Sequence, residues 1–378
     1  MIPRKSISIP ISLLVAGLLC LWWWKSVTSD KSEKSKVLSS QRSPGIRPTG
    51  ESPVAAAFGN LQKSPARADA LKTLTELQAD LKAMPREEAV AWIRSFLNSS
   101  DDKPTGLSFV ISKQGTLSEW PTFRIFLLDA LLAIDPTAAA LIGREILTKP
   151  TTSDEWALAL RNVGKNDASQ ETNAYLREKT EALIANPAWQ ADPSIGYLNA
   201  FDVLVHTGAT ESTPLLSSLI QRKDRKDLAH AGFLTLDRLV QQQSSDVLAR
   251  LSADRTLQES RPEMVSQEFA RADLRDAAQR EIVKTWLLDP ARTGTELRSF
   301  AGVYPNNNQF ISNNLLTTEA SPSGSDLAAH DREALDIITG WEKDPAFSSV
   351  QEHLRSMISR LNGFVGGSGN AETPAPAK

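Results

Sequence analysis

The stretch EWPTFRIFLLDALLAIDPTAAALIGREIL, residues 119–147, sets the strongest constraint on the fold, because its pattern returns along most of the chain. Phe123, Phe126, Leu127, Leu131 and Ile134 share one helical face, and Leu141, Ile142 and Ile146 share another, with an Asp135-Pro136 corner between them. Apolar positions three and four residues apart mark an amphipathic helix, and a proline suits the first turn of the helix that follows. Upstream, ADALKTLTELQADLKAMP and REEAVAWIRSFLNSS form a pair divided at Pro85. Downstream come residues 153–163 (SDEWALALRNV) with 171–185 (ETNAYLREKTEALIA), PSIGYLNAFDVLVHTGA with TESTPLLSSLIQR, and KDLAHAGFLTLDRLVQQ with SSDVLARLSADRTL. Gly208 reads as a helix stop, with Thr210 or Ser212 as the next cap. RADLRDAAQREIVKTWLLDP resumes the pattern, with Leu274, Ala278, Ile282 and Trp286 four residues apart.

The helix ends at Ile134, Val163, Val205, Val240 and Leu287 are separated by 29, 42, 35 and 47 residues. The period is irregular, but its average lies near the roughly 40-residue spacing of stacked helix pairs, none of which can hide its apolar face alone. Ala130, Ala159, Ala200, Ala231 and Ala278 would let neighbouring helices approach closely. The expected fold is therefore all-α, an array of paired antiparallel helices over residues 65–363. FRIFLLDALLAIDPTAAALIGREIL, AFDVLVHTGATESTPLLSSLI and DLRDAAQREIVKTWLLDPARTGTELRSF resemble HEAT-like helical repeats over residues 120–300. The resemblance implies a right-handed α-solenoid, a polar residue near the inner end of a helix at Asp129, Asp202 and Asp237, and a protein-binding or scaffolding role.

At the N-terminus, residues 7–24 (ISIPISLLVAGLLCLWWW) form an uncharged run of 18 residues that reads as a membrane segment within residues 1–25. Trp22, Trp23, Trp24 and Lys25 stand where membrane-interface residues belong. No small-x-small site follows the run, and Leu19 before Cys20 does not suit a lipobox, so an uncleaved signal-anchor is expected. Arg4 and Lys5 precede the segment while Lys25, Lys31, Lys34 and Lys36 follow it, so charge does not fix the orientation. The signal-like position and a cysteine-free exterior favour a single pass through a cell inner membrane, with the body in the periplasm of a bacterial envelope. Residues 26–64, rich in Ser, Lys, Pro and Gly, read as a disordered linker, and 364–378 as a disordered tail.

With 42 basic and 45 acidic residues and a formal charge of −3, the chain lacks the basic footprint that a phosphate backbone selects, so no nucleic acid is expected. Cys20 is its only cysteine. His206, His230, His330 and His353 are scattered without metal-ligand spacing, and HExxH, GxSxG, GxxxxGK[ST] and GxGxxG are absent, so no metal, cofactor or catalytic residue is expected. Trp92, Trp120, Trp156, Trp189, Trp286 and Trp341 are spread as one large packing residue per helical layer, and RKDRKD at 222–227 reads as a wet turn. Two segments interrupt the helices: LSFVISKQGTLSEW (107–120), a short hairpin or packed loop, and the Asn- and Ser-rich 304–326, a loop covering one end of the core.

The functional expectation is a membrane-tethered helical-repeat scaffold or adaptor, without turnover, whose partners are a protein or extended peptide and, through its anchor, the bilayer. Two alternatives differ in kind. GTLSEWPTFRIFLLDALLAID lies where bacterial lipase-specific foldases, which the chain resembles in its anchor, spacer and helical body, carry an Arg-x-x-Phe-Asp-Tyr segment; here Arg124 is followed by Ile125, Phe126 and Leu127. A hydrolase would instead need a cleft in which distant acids and histidines converge.

Overall fold

Helix-forming patterns become packed helices here because each is closed by a local cap and covered by its neighbours. The computed structural model describes residues 52–63, 66–318 and 323–367. The N-terminal apolar run, with Trp22, Trp23, Trp24 and Lys25, lies outside them. Among the described residues no helix is long and apolar enough to cross a membrane. The longest, Gly324–Lys343, has 20 residues but carries Asp326, Asp331, Arg332, Glu333, Asp336, Glu342 and Lys343, whereas a span needs about 20 predominantly apolar residues. This corrects the expectation of an array behind a membrane segment, and with it the single-pass inner-membrane location, the periplasmic body and the bilayer as a partner.

The first helices are α1 (Pro53–Lys63), α2 (Arg67–Ala83) and α3 (Arg86–Leu97), with Pro85 as the N-cap of α3. α1 falls inside the stretch expected to be linker. Val54, Ala57 and Leu61 recur at helical spacing and are buried, and the Phe58 ring lies 5.0 Å from Phe96 and 5.6 Å from Phe123. Residues 53–63 therefore belong to the packed body. A two-stranded antiparallel hairpin follows, β1 (Val110–Ile111) and β2 (Leu117–Glu119), with Val110 opposite Glu119 and Ile111 opposite Leu117.

Next come α4 (Phe123–Ile134), α5 (Pro136–Ile146), α6 (Ser153–Asn166) and α7 (Gln170–Ala185). Asp135 forms the corner between α4 and α5. It is the C-cap of one and the N-cap of the other, its carboxylate accepting from Ala138 N–H at 3.0 Å, with Pro136 in the first turn. α5 and α6 touch closely at Gly143, where a Cβ would stand 2.9 Å from the Ala159 carbonyl oxygen. The expected helix over 193–209 divides into α9 (Ile195–Asn199) and α10 (Asp202–His206), after the short α8 (Pro187–Ala191). Bonds from Val203 N–H to Ala200 O and from Leu204 N–H to Phe201 O tighten the chain between them. Gly208, at φ 61°, then turns the chain.

The remaining helices are α11 (Thr213–Ile220), α12 (Lys226–Gln242), α13 (Ser244–Ala253), α14 (Arg255–Ser260), α15 (Pro262–Phe269), α16 (Ala277–Leu288), α17 (Gly294–Val303), α18 (Gly324–Lys343) and α19 (Gln351–Gly367). Helices adjacent in sequence pack together, as in α4–α5, α5–α6, α6–α7, α11–α12 and α18–α19. So do helices one element apart, as in α4–α6, α10–α12, α15–α17 and α17–α19. The domain is all-helical apart from the hairpin, and its helix-pair packing is consistent with a repeat arrangement. One feature breaks the pattern. Residues 304–318, between α17 and α18, run without helix or strand and make backbone bonds deep in the array; we call them the strap.

Candidate functional site

Asp129, Asp202 and Asp237 lie on α4, α10 and α12, and all three are buried. A buried carboxylate needs a cation or several donors. Each has an arginine from further along the chain: Arg161 on α6, Arg238 on α12, and Arg271 just after α15. The arginines follow their aspartates by 32, 36 and 34 residues. Nothing in the apolar period flags them, but this recurring Asp-to-Arg interval is a signal in the sequence that would have found them.

At the first rung, Arg161 Nη1 lies 2.5 Å from Asp129 Oδ1 and also donates to Gly115 O at 3.1 Å. Trp120 Nε1 donates to Asp129 Oδ2 at 2.8 Å, and Leu117 N–H to both carboxylate oxygens at 3.1 Å. The far side of the guanidinium donates to Asn162 Oδ1, whose own amide donates to Leu128 O. Burial pushes Arg161 below its ordinary value, and Asp129 opposes the shift. The rung thus fixes the hairpin to α4 and α6 through both main chain and indole.

The second rung holds the end of the strap. Asp202 accepts from Leu316 N–H at 2.7 Å, Thr317 N–H at 3.1 Å, Thr317 Oγ1 at 2.5 Å and Arg238 Nη2 at 2.8 Å. The third holds its beginning. Arg271 Nε lies 2.5 Å from Asp237 Oδ1, while its Nη1 donates to Asn306 O at 3.1 Å and Asn308 O at 2.7 Å. Asn306 N–H donates to Ala270 O at 2.9 Å. Between these ends the strap meets the hairpin, with Asn313 Nδ2 donating to Ile111 O at 3.0 Å. Gly115, at φ 80°, admits the Leu315 carbonyl so closely that a Cβ there would stand 2.3 Å from its oxygen.

Beside the third rung Glu268 is fully buried, and burial next to Asp237 raises its carboxyl well above the ordinary range. It therefore holds a proton at neutral pH and can share it with Asp237. An acid whose folded value is raised adds stability that is complete below its unfolded value, about 4.3, and is lost as pH rises through the folded value. The melting temperature should accordingly fall between pH 5 and pH 9 with a slope worth up to about one proton, and Glu268→Gln should flatten it. Equal slopes for wild type and variant in thermal melts would refute the assignment.

The sequence-derived candidates are only partly gathered. His330 Nδ1 lies 3.0 Å from Asp331 Oδ1 and its Nε2 3.9 Å from Asp273, on the wall of a cavity of about 360 Å³ shared with Arg275 and Gln309. His206, His230 and His353 do not join it. No group of three or more His, Cys, Asp or Glu side chains is placed to hold a metal among the described residues. Arg124, the residue that the foldase comparison singles out, is buried. It forms a forked pair with Glu155 at 2.7 and 3.2 Å and donates to Leu97 O and Ser99 O. It offers a client nothing, which corrects that alternative, and no cleft of converging acids and histidines supports the hydrolase. RKDRKD is more than a wet turn: Arg222 donates to Gln190 Oε1 at 2.9 Å and Arg225 to Ala191 O at 2.8 Å, clamping α8. The tryptophans divide in role. Trp120 and Trp286 are buried packing residues, whereas Trp156 and Trp189 meet at the surface with ring centroids 5.4 Å apart.

Compared with known proteins, the chain matches no protein-family model, no curated protein and no solved structure. No HEAT-like membership is therefore identified, and the conclusion the coordinates carry is an all-helical domain of paired, repeat-like helices whose inner polar rungs bind extended main chain.

Proposed function

We propose that this domain is a non-catalytic binding scaffold that engages a protein or extended peptide on the face carrying the strap. The reading includes no membrane attachment. The observation that supports it is the use made of the buried rungs, whose side chains bond the main chain of non-helical segments: Leu117 N, Gly115 O, Leu316 N, Thr317 N, Asn306 O and Asn308 O. Such bonds are indifferent to side-chain identity, so they suit recognition of an extended chain. The HEAT-like resemblance favours the same class of role, although fold alone does not assign one.

On the strap, Phe310 and Ile311 are 53% and 63% exposed. Phe310 also walls a cavity of about 320 Å³ with Leu198, Phe201, Ala231 and Leu234. Exposed large apolar side chains beside an apolar pocket have the make-up of an interface centre. Replacing both Phe310 and Ile311 by Ser should weaken capture of a crosslinked protein partner by at least about tenfold. Because both side chains are exposed, stability should stay within about 0.5 kcal/mol of wild type. Quantitative crosslinking with mass spectrometry, run beside a thermal melt, checks both; undiminished capture by the double variant would overturn the placement of the interface.

A further inference from the structure

Away from the strap, the turn from α5 to α6 meets the C-terminal half of α7 and the short α8 in a cleft of about 630 Å³. The cleft opens at the start of α6, eight residues from Gly164, which contacts Leu316 of the strap; at 1.5 Å per residue that is about 12 Å along the helix. Its aromatic walls are Trp156 and Trp189, both half-buried, with ring planes 65° apart. Trp156 is fixed by donation from its Nε1 to Lys149 O at 3.2 Å. Asn186 fixes Trp189, its Oδ1 capping α8 by accepting from Ala188 N–H at 3.0 Å and Trp189 N–H at 3.3 Å. The charged residues lining the cleft are Lys149 and Lys179, and no acid lines it. Lys149 is exposed and has no ion-pair partner among the described residues. Lys179 lies 3.1 Å from the exposed Glu178 and 5.6 Å from the centre of the Tyr175 ring, over which Arg144 also sits at 4.6 Å. Thr151 Oγ1, in the same wall, is buried and makes no hydrogen bond within the protein.

We propose that this cleft is a second binding site, for an extended acidic peptide segment that carries proline. The inference rests on the scaffold reading for its class of ligand and adds a separate site, a charge and a ring. Two indoles at 65° make a notch, not a flat platform, and a notch accepts a pyrrolidine ring projecting from an extended chain. A sugar ring, in contrast, gains most from a face laid parallel to it, and a neutral sugar gains nothing from two lysines. Carboxylate side chains flanking the proline reach Lys149 and Lys179, and Thr151 Oγ1 is available to a peptide carbonyl or amide.

The test uses the full chain and a fluorescein-labelled dodecapeptide of alternating Glu and Pro, followed by fluorescence anisotropy. Binding should fall by about tenfold or more when Ala replaces every Pro, when Lys replaces every Glu, and in the Trp189→Ala protein. The pair Lys149→Glu and Lys179→Glu should have a similar effect, and salt should weaken binding to the wild type. Since both lysine side chains reach outward, that double variant tests the site even where Trp189→Ala disturbs α8. Equal binding by Trp189→Ala and by the lysine variant, no binding of the Glu-Pro peptide, or binding of cellohexaose in its place would overturn the proposal. The Phe310→Ser, Ile311→Ser protein should bind the Glu-Pro peptide as wild type does. A cleft that binds the peptide while strap variants leave partner capture unchanged refutes the strap interface alone; the reverse pattern refutes the cleft alone.

Discussion

Arg161→Leu should destabilise the protein by about 3–5 kcal/mol, the range expected when one partner of a buried ion pair is removed and the other is left charged. Arg161 is wholly inaccessible, and Asp129 beside it is 3% exposed. Leucine also withdraws the donors to Gly115 O and Asn162 Oδ1, so two further buried acceptors lose partners. Much of the loss comes from the uncompensated charge, which gives the prediction a second arm. Adding Asp129→Asn to Arg161→Leu should recover about 1–2 kcal/mol, because the amide oxygen still accepts from Leu117 or Trp120 and carries no charge. Urea denaturation of wild type, both single variants and the double variant supplies the cycle. A loss below about 1 kcal/mol for Arg161→Leu would mean that the rung is solvated in solution.

Gly115→Ala should cost about 3 kcal/mol and should release the strap more than it disturbs the helices. Two penalties combine: a non-glycine residue at φ 80° is strained, and the new Cβ would stand 2.3 Å from the Leu315 carbonyl oxygen. Backbone oxygen cannot swing aside as a flexible side chain would, so either the hairpin or the strap must move. The strap gives way more readily, since its hold in this region comes from single contacts such as Asn313 to Ile111 O. Amide hydrogen exchange should therefore speed up over residues 304–318 while α4 and α6 keep wild-type protection. Uniform acceleration across the helices would show instead that the strain spreads through the core.

The helices were legible where the controlling chemistry is local. Asp135-Pro136 marks its own corner, Pro85 divides α2 from α3, and residues 107–120 contain the hairpin turn, each within one turn of the chain. Local reading failed where a cap overrode the apolar period. Asp276 caps α16 through Gln279 N–H, so the helix starts at Ala277; Leu274 belongs to the preceding turn, and Ala278 faces solvent instead of a neighbouring helix. α1 was hidden by the polar composition around it, although Val54, Ala57 and Leu61 keep helical spacing. The membrane reading rested on residues 7–24, which lie outside the described region, and the described helices offer no membrane span in support.

Of the candidate site, the three aspartates were visible and their partners were not. A periodic reading registers what lies within one helix pair, but Asp202 meets Leu316 across 114 residues and Asn313 meets Ile111 across 202. For the same reason residues 304–318 passed as a covering loop, when their amides and carbonyls are fixed by buried charges. The Trp156–Trp189 cleft was obscured by counting tryptophans along the chain, because the two converge only when α8 folds back beside the start of α6.

The strap also alters how the domain should come apart. In an open stack of helix pairs each unit touches only its neighbours, so stability is close to a sum of nearest-neighbour terms and the ends fray independently. Here one segment joins the turn after α15, the start of α10 and the hairpin before α4. Loss of any rung along it removes partners from the others, and the array acquires long-range cooperativity that a linear stack lacks. The entropy of closing those distant loops slows the approach to the native state, and in return the terminal helices cannot melt away while the middle remains folded.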